Sequence, residues 1–124
     1  MFMKCLICSL CFLAFVTSAN AQSISHIEET RAWYYIYDQD GKKIKTISTS
    51  QGTIVAYSAS FYILRQGTAF YVIYDVNGKR LACLSVSYVG EILSASGDTF
   101  TSRNGAWIYT WDKNGKKVNT RCAR

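Results

Sequence analysis

The chain has 124 residues, a formal net charge of +6, 15% aromatic residues, no proline and one histidine. That length holds one domain once a leader is set aside, and the apolar content is too high for a disordered chain. His26, with Cys83 and Cys122 as the cysteines beyond the leader, does not make a zinc site.

The first segment, residues 1–21, reads as a signal peptide. Lys4 precedes an apolar run from Cys5 to Val16, too short to span a bilayer comfortably as an anchor. Ala19-Asn20-Ala21 supplies a small-x-small cleavage site, which predicts a mature chain starting at Gln22. Lipoprotein processing is disfavoured, because Cys5, Cys8 and Cys11 follow Lys4, Ile7 and Leu10 rather than a small residue. No second long apolar run follows, so the expectation is an exported protein of bacterial type without a membrane span: periplasmic, secreted or at the cell surface.

Residues 22–124 then repeat one signature at a fixed spacing. It reads Ile36-Tyr37-Asp38-Gln39-Asp40-Gly41-Lys42-Lys43, Ile73-Tyr74-Asp75-Val76-Asn77-Gly78-Lys79-Arg80 and Thr110-Trp111-Asp112-Lys113-Asn114-Gly115-Lys116-Lys117. Asp38, Asp75 and Asp112 stand 37 positions apart, as do Gly41, Gly78 and Gly115. A period of that length marks one supersecondary unit used repeatedly. Asp accepts backbone hydrogen bonds at the turn entrance and Gly supplies positive φ, as in a type I turn followed by a glycine bulge.

Strands are predicted on both sides of each turn. Trp33 to Tyr37, Phe70 to Tyr74 and Trp107 to Trp111 precede it, and their aromatic and β-branched residues favour extended backbone. Lys43 to Ser48, Arg80 to Ser85 and Lys117 to Cys122 follow it. Upstream, Gly52 to Ser58 and Gly90 to Ala95 read as one strand, and Ala59 to Arg65 and Thr99 to Arg103 as the next. The units span about 22–50, 51–87 and 88–124, and the first lacks room for its opening strand. The fold class is therefore all-β, an antiparallel meander of about 10–11 strands with almost no helix. The pre-turn strands are apolar on both faces, which implies stacked sheets: propeller-blade-like units, or a trefoil- or sandwich-like stack.

The repeated motif resembles the YD repeats of large bacterial shell-forming and toxin-delivering proteins, whose units carry Tyr-Asp-x-x-Gly-Arg/Lys followed by an aliphatic residue. Tyr37-Asp38…Gly41-Lys42 and Tyr74-Asp75…Gly78-Lys79 match it, and Trp111-Asp112…Gly115-Lys116 matches with Trp for Tyr. It is also similar to WG-type hairpin repeats. The resemblance implies hairpin geometry in an exported repeat protein and carries no catalytic residue.

The chemistry read from the residues is that of a binding module, with no catalytic residue and no cofactor. Asp-x-Asp/Asn-Gly resembles the start of a calcium loop, but the closing glutamate is missing and basic residues follow. His26 has no nucleophile motif to serve, and Glu91 and Asp98 carry no mark of an acid–base pair. Lys42, Lys43, Lys79, Arg80, Lys116 and Lys117 take equivalent places after the turns and form a predicted basic stripe, either a surface for an anionic polymer or a solvated rim. Tyr57, Tyr62 and Tyr88 are the tyrosines expected to be exposed and free to stack on sugar rings. Cys83 and Cys122 are a possible disulfide, closing a loop of about 40 residues and worth roughly 3–4 kcal/mol. The expected partner is a protein or an anionic or glycan polymer, with self-assembly and inhibition of a secreted enzyme as alternatives. Export disfavours nucleic acid.

Overall fold

The computed structural model describes residues 22–123. The predicted leader and Arg124 lie outside the described residues. Among the described residues eleven strands form three antiparallel sheets. The first holds β1 (Ile24–Glu29), β2 (Trp33–Asp38) and β3 (Lys43–Ser48). The second holds β4 (Thr53–Tyr57), β5 (Phe61–Gln66), β6 (Phe70–Asp75) and β7 (Arg80–Ser85). The third holds β8 (Glu91–Ser96), β9 (Thr99–Asn104), β10 (Trp107–Asp112) and β11 (Lys117–Cys122). Strand order within every sheet follows chain order, so each is a meander. A 3-10 turn at Thr49–Gln51 and a one-turn helix, α1 (Val86–Val89), carry the chain from one sheet to the next.

The three signature turns are geometrically alike. Asp38 Oδ1 accepts from the backbone N–H groups of Asp40 and Lys42 at 2.9 Å each. Asp75 does the same for Asn77 and Lys79, and Asp112 for Asn114 and Lys116, again at 2.9 Å. The N–H of Gly41 donates to the Asp38 carbonyl at 3.0 Å, and Gly41 sits at φ 77°. Gly78 and Gly115 repeat both features, at φ 85°. Just beyond each turn the register slips by one residue, between Ile36/Tyr37, Ile73/Tyr74 and Thr110/Trp111. The extra residues are Ile44, Leu81 and Val118. Such a bulge increases the local twist.

Packing follows from the double apolar faces of β2, β5, β6 and β10. Tyr34 and Ile36 of the first sheet meet Tyr62 of the second, joined by the half-buried Ile54 and Tyr74. The opposite face of the second sheet packs Phe61, Ile63, Tyr71 and Ile73 against Phe100 and Trp111 of the third. The second sheet is thus covered on both faces, and Ile63, Ile73 and Ile36 are fully buried. Each such side chain contributes about 1.5–3 kcal/mol. Of the predicted alternatives the structure excludes the trefoil, because separate meanders of three and four strands packed face to face do not close one barrel.

Polar bolts fix adjacent sheets. Tyr34 Oη accepts from the Ile54 N–H at 3.2 Å, and Tyr71, its repeat equivalent, donates to the Gly90 carbonyl at 2.7 Å. At the turn side, Ser58 Oγ and Ser60 Oγ donate to the Gly97 carbonyl at 2.7 and 2.9 Å. Ser60 Oγ also reaches Asp98 Oδ1 at 2.7 Å.

Candidate functional site

Stacked meanders present two rims, one at each end of the strands. The predicted basic residues lie on the rim that carries the signature turns. Lys42, Lys79 and Lys116 are exposed there. The next position behaves differently in the first and third repeats, while Arg80 of the second is exposed like Lys79. Lys43 Nζ stands 4.1 Å from the centroid of the Tyr35 ring, and Lys117 Nζ stands 3.8 Å from that of Tyr109. These two charges cover aromatic faces, so they are partly engaged within the fold. Lys45 also turns inward: its Nζ lies 2.7 Å from where a Cβ of Gly78 would stand.

The opposite rim was not read from the sequence as a site. Its leading residues are Trp33, Phe70 and Trp107, the first positions of β2, β6 and β10. They are 44%, 49% and 49% exposed, and each is paired with the last residue of its sheet: Ser48, Ser85 and Cys122. In the second and third sheets later members of the same rows turn into the fold, with Val72 and Trp111 buried, whereas Tyr35 and Tyr37 stay half-buried on the outer face of the first sheet. Packed sheets lie about 10 Å apart, which sets the spacing of the three rings along the rim. Arginines accompany them. Arg31 lies in the β1–β2 turn, Arg65 pairs opposite Tyr71, and Arg103 and Arg121 pair opposite Ile108, and all four are exposed. The signal that could have found this rim was the repeat itself: three aromatic residues at 37-residue spacing, each at the outermost position of its strand.

Of the tyrosines singled out, Tyr57 and Tyr88 are exposed, at 37% and 55%. Tyr62 is not. It is 1% exposed and stacks on Tyr74 with centroids 5.3 Å apart. It lies on the face of β5 that meets the first sheet, and burial holds its phenol above the ordinary value of 10.0. The possible disulfide is also corrected. Cys83 and Cys122 are both free and exposed. Cys83 pairs opposite Val72, on the face of the second sheet turned toward the first, whereas Cys122 pairs opposite Trp107, on the face of the third sheet turned toward the second. The second sheet therefore intervenes between the two thiols.

The outer faces of the stack are dressed differently. On the first sheet, His26 stacks on Tyr37 and the Tyr37 hydroxyl donates to Glu28 at 3.0 Å, which raises the phenol's pKa. The third sheet turns Thr101, Arg103, Ile108 and Thr110 outward. Among the described residues there is no group of three or more His, Cys, Asp or Glu arranged to hold a metal. No helix among them is long and apolar enough to cross a membrane.

No protein-family model matches the chain, and no curated protein does. Among solved structures it is similar to BamB from Moraxella catarrhalis, with 13% identity and a TM-score of 0.46, covering 78% of this chain and 35% of that one. It is also similar to a protein of unknown function from Bacteroides caccae, with 10% identity and a TM-score of 0.50, covering 80% of this chain and 39% of that one. The chain thus spans little more than a third of the length of either. The second likeness is one of fold.

Proposed function

We propose that this protein is a non-enzymatic, exported binding module for an anionic glycan polymer, held along the rim of Trp33, Phe70 and Trp107. The observation that carries the reading is the periodic exposure of those three rings. A large aromatic side chain left about half exposed at the same place in every repeat favours a ligand that repeats as well. A sugar polymer offers ring faces at regular intervals, and arginines beside the rings suit carboxylate, sulfate or phosphate substituents. The lysines of the turn rim add to the positive field that draws such a polymer in, without holding it.

The test is binding of the full chain to acidic and neutral polysaccharides, lipopolysaccharide and single-stranded DNA, each at low and moderate salt. Trp33→Ala or Trp107→Ala should weaken binding to the acidic glycan by roughly three- to tenfold each. Lys42→Glu, Lys79→Glu and Lys116→Glu together should alter mainly the salt dependence. Equal binding by the tryptophan variants, or loss of binding in the lysine variant alone, would move the site to the turn rim.

A further inference from the structure

Among the described residues the first sheet is one strand short. Its β1 matches β5 and β9, which lie second in their sheets, inside β4 and β8. In the second and third sheets that innermost strand pairs along β5 and β9 and packs against its neighbour, β4 against β8. In the first sheet the corresponding edge of β1 has no strand beside it among the described residues. A cleft of ≈ 360 Å³ lies along it, walled by Ile27 and Glu29 of β1, Tyr34, Ile54 to Tyr57 of β4 and Leu93 to Ala95 of β8. The cleft stands where the register of the other sheets puts a strand.

We infer that this cleft takes an extended segment of a partner protein, which adds to the free edge of β1 as the fourth strand of the first sheet. An edge strand offers unpaired N–H and C=O groups in register, and an added strand satisfies them. The fold itself shows what fits. Thr53 of β4 and Glu91 of β8 pair opposite the equivalent Arg65 and Arg103, and each is followed by an aliphatic pair, Ile54-Val55 and Ile92-Leu93, then by Ala56 or Ser94. The second aliphatic residue of each pair is the bulged one. The partner segment therefore carries two adjacent aliphatic residues followed by a small one. It continues the packing already made between β4 and β8, and a basic residue in it would meet Glu29. The chain's own preceding segment lacks that pattern. One repeat upstream of Thr53 to Tyr57 it reads Val16-Thr17-Ser18-Ala19-Asn20, with Thr17-Ser18 in the place of Ile54-Val55.

The experiment uses the full chain, expressed intact and with its N-terminus read by mass, and a synthetic peptide with the sequence of residues 51–58. The peptide should bind and slow hydrogen exchange of the edge amides from Ser25 to Glu29; the Ile24 N–H already donates to the Ala59 carbonyl at 2.8 Å. The same peptide N-methylated at alternate amides should bind at least about tenfold more weakly, because it keeps the side chains and loses the ladder. Leu93→Arg, at a position 49% exposed and therefore tolerant of the change, should narrow the cleft and weaken the parent peptide similarly. Equal binding of the methylated peptide, or unchanged exchange along β1, would overturn the inference. So would a concentration-dependent mass with the cleft closed to peptide, which would assign it to a second copy.

Discussion

The Ser102–Trp111 pair shows how much one hydroxyl can decide. Trp111 Nε1 donates to Ser102 Oγ at 2.9 Å, with both residues essentially sealed from water. Phe100 stacks on the indole with a 9° interplanar angle, and Tyr109 meets it edge-on. Ser102→Ala would leave a buried N–H without a partner and should cost about 1–3 kcal/mol in denaturant unfolding. Ser102→Thr, which keeps the hydroxyl, should recover part of that loss. Gly90 is a second such position: it sits at φ 86°, and an added Cβ would collide with the Arg103 carbonyl. Gly90→Ala should therefore destabilise by more than the roughly 1 kcal/mol of an ordinary glycine substitution. Tyr62 should govern the alkaline limit. Its raised folded pKa means that the stability held by the neutral phenol is complete below pH 10 and drains as pH rises through the folded value. Tyr62→Phe should flatten the alkaline limb of a stability–pH curve.

At the scale of elements, the hairpins were the most legible part of the chain. Asp-x-Asn/Asp-Gly is a local instruction, since the same carboxylate oxygen and the same glycine make the turn wherever it occurs, and strands on either side fell within a residue or two of prediction. The three turns are not equal in energy, however. Asp38 is 5% exposed, whereas Asp75 and Asp112 are only partly buried. Asp38→Ala should cost more than Asp112→Ala, about 2–3 against about 1 kcal/mol, measured by thermal or denaturant unfolding. The β8–β9 turn adds a latch between sheets. Hydrogen bonding from Ser60 and then the Lys113 ammonium, 3.4 Å away, holds the Asp98 carboxyl below its ordinary value of 3.8. Its contribution is present above that value and disappears as pH falls through the lower folded pKa. Asp98→Asn should thus lower stability near neutrality and merge with the parent protein in acid. Burial was less legible. Tyr62 and Tyr57 are both strand tyrosines in the same hairpin, and only the stacking of the first sheet on the second decides that one is covered and the other is not.

At the scale of the whole molecule, the two ends of the stack differ. The first sheet ends in an aromatic face screened by His26, Glu28 and Lys43, and the third in threonine, serine and arginine. The sequence carried the three evenly spaced turns and the strands flanking them, because both can be counted along the chain. The aromatic rim is present in it only as three rings at one spacing, and the cleft not at all. These arise from residues distant in sequence that stacking brings around one cleft, such as Ile27 and Leu93, or onto one rim, such as Trp33 and Phe70. None of the three rim rings lines the cleft, so occupation of one should leave the other open. A polymer-bound sample should still protect β1 when the peptide is added, as hydrogen exchange would read directly.

The meander order has a kinetic consequence. Every strand pairs only with its neighbours in sequence, and contacts between sheets, such as β4 with β8, reach further along the chain. Loop closure is therefore inexpensive at each step, and such low-separation topology favours rapid acquisition of structure. The second sheet can form as an unbroken four-stranded piece and then serve as the template on which both flanking sheets condense. A chain emerging N-terminus first would hold its incomplete sheet waiting until residue 85 had appeared, and that interval is when a donated strand would meet least competition.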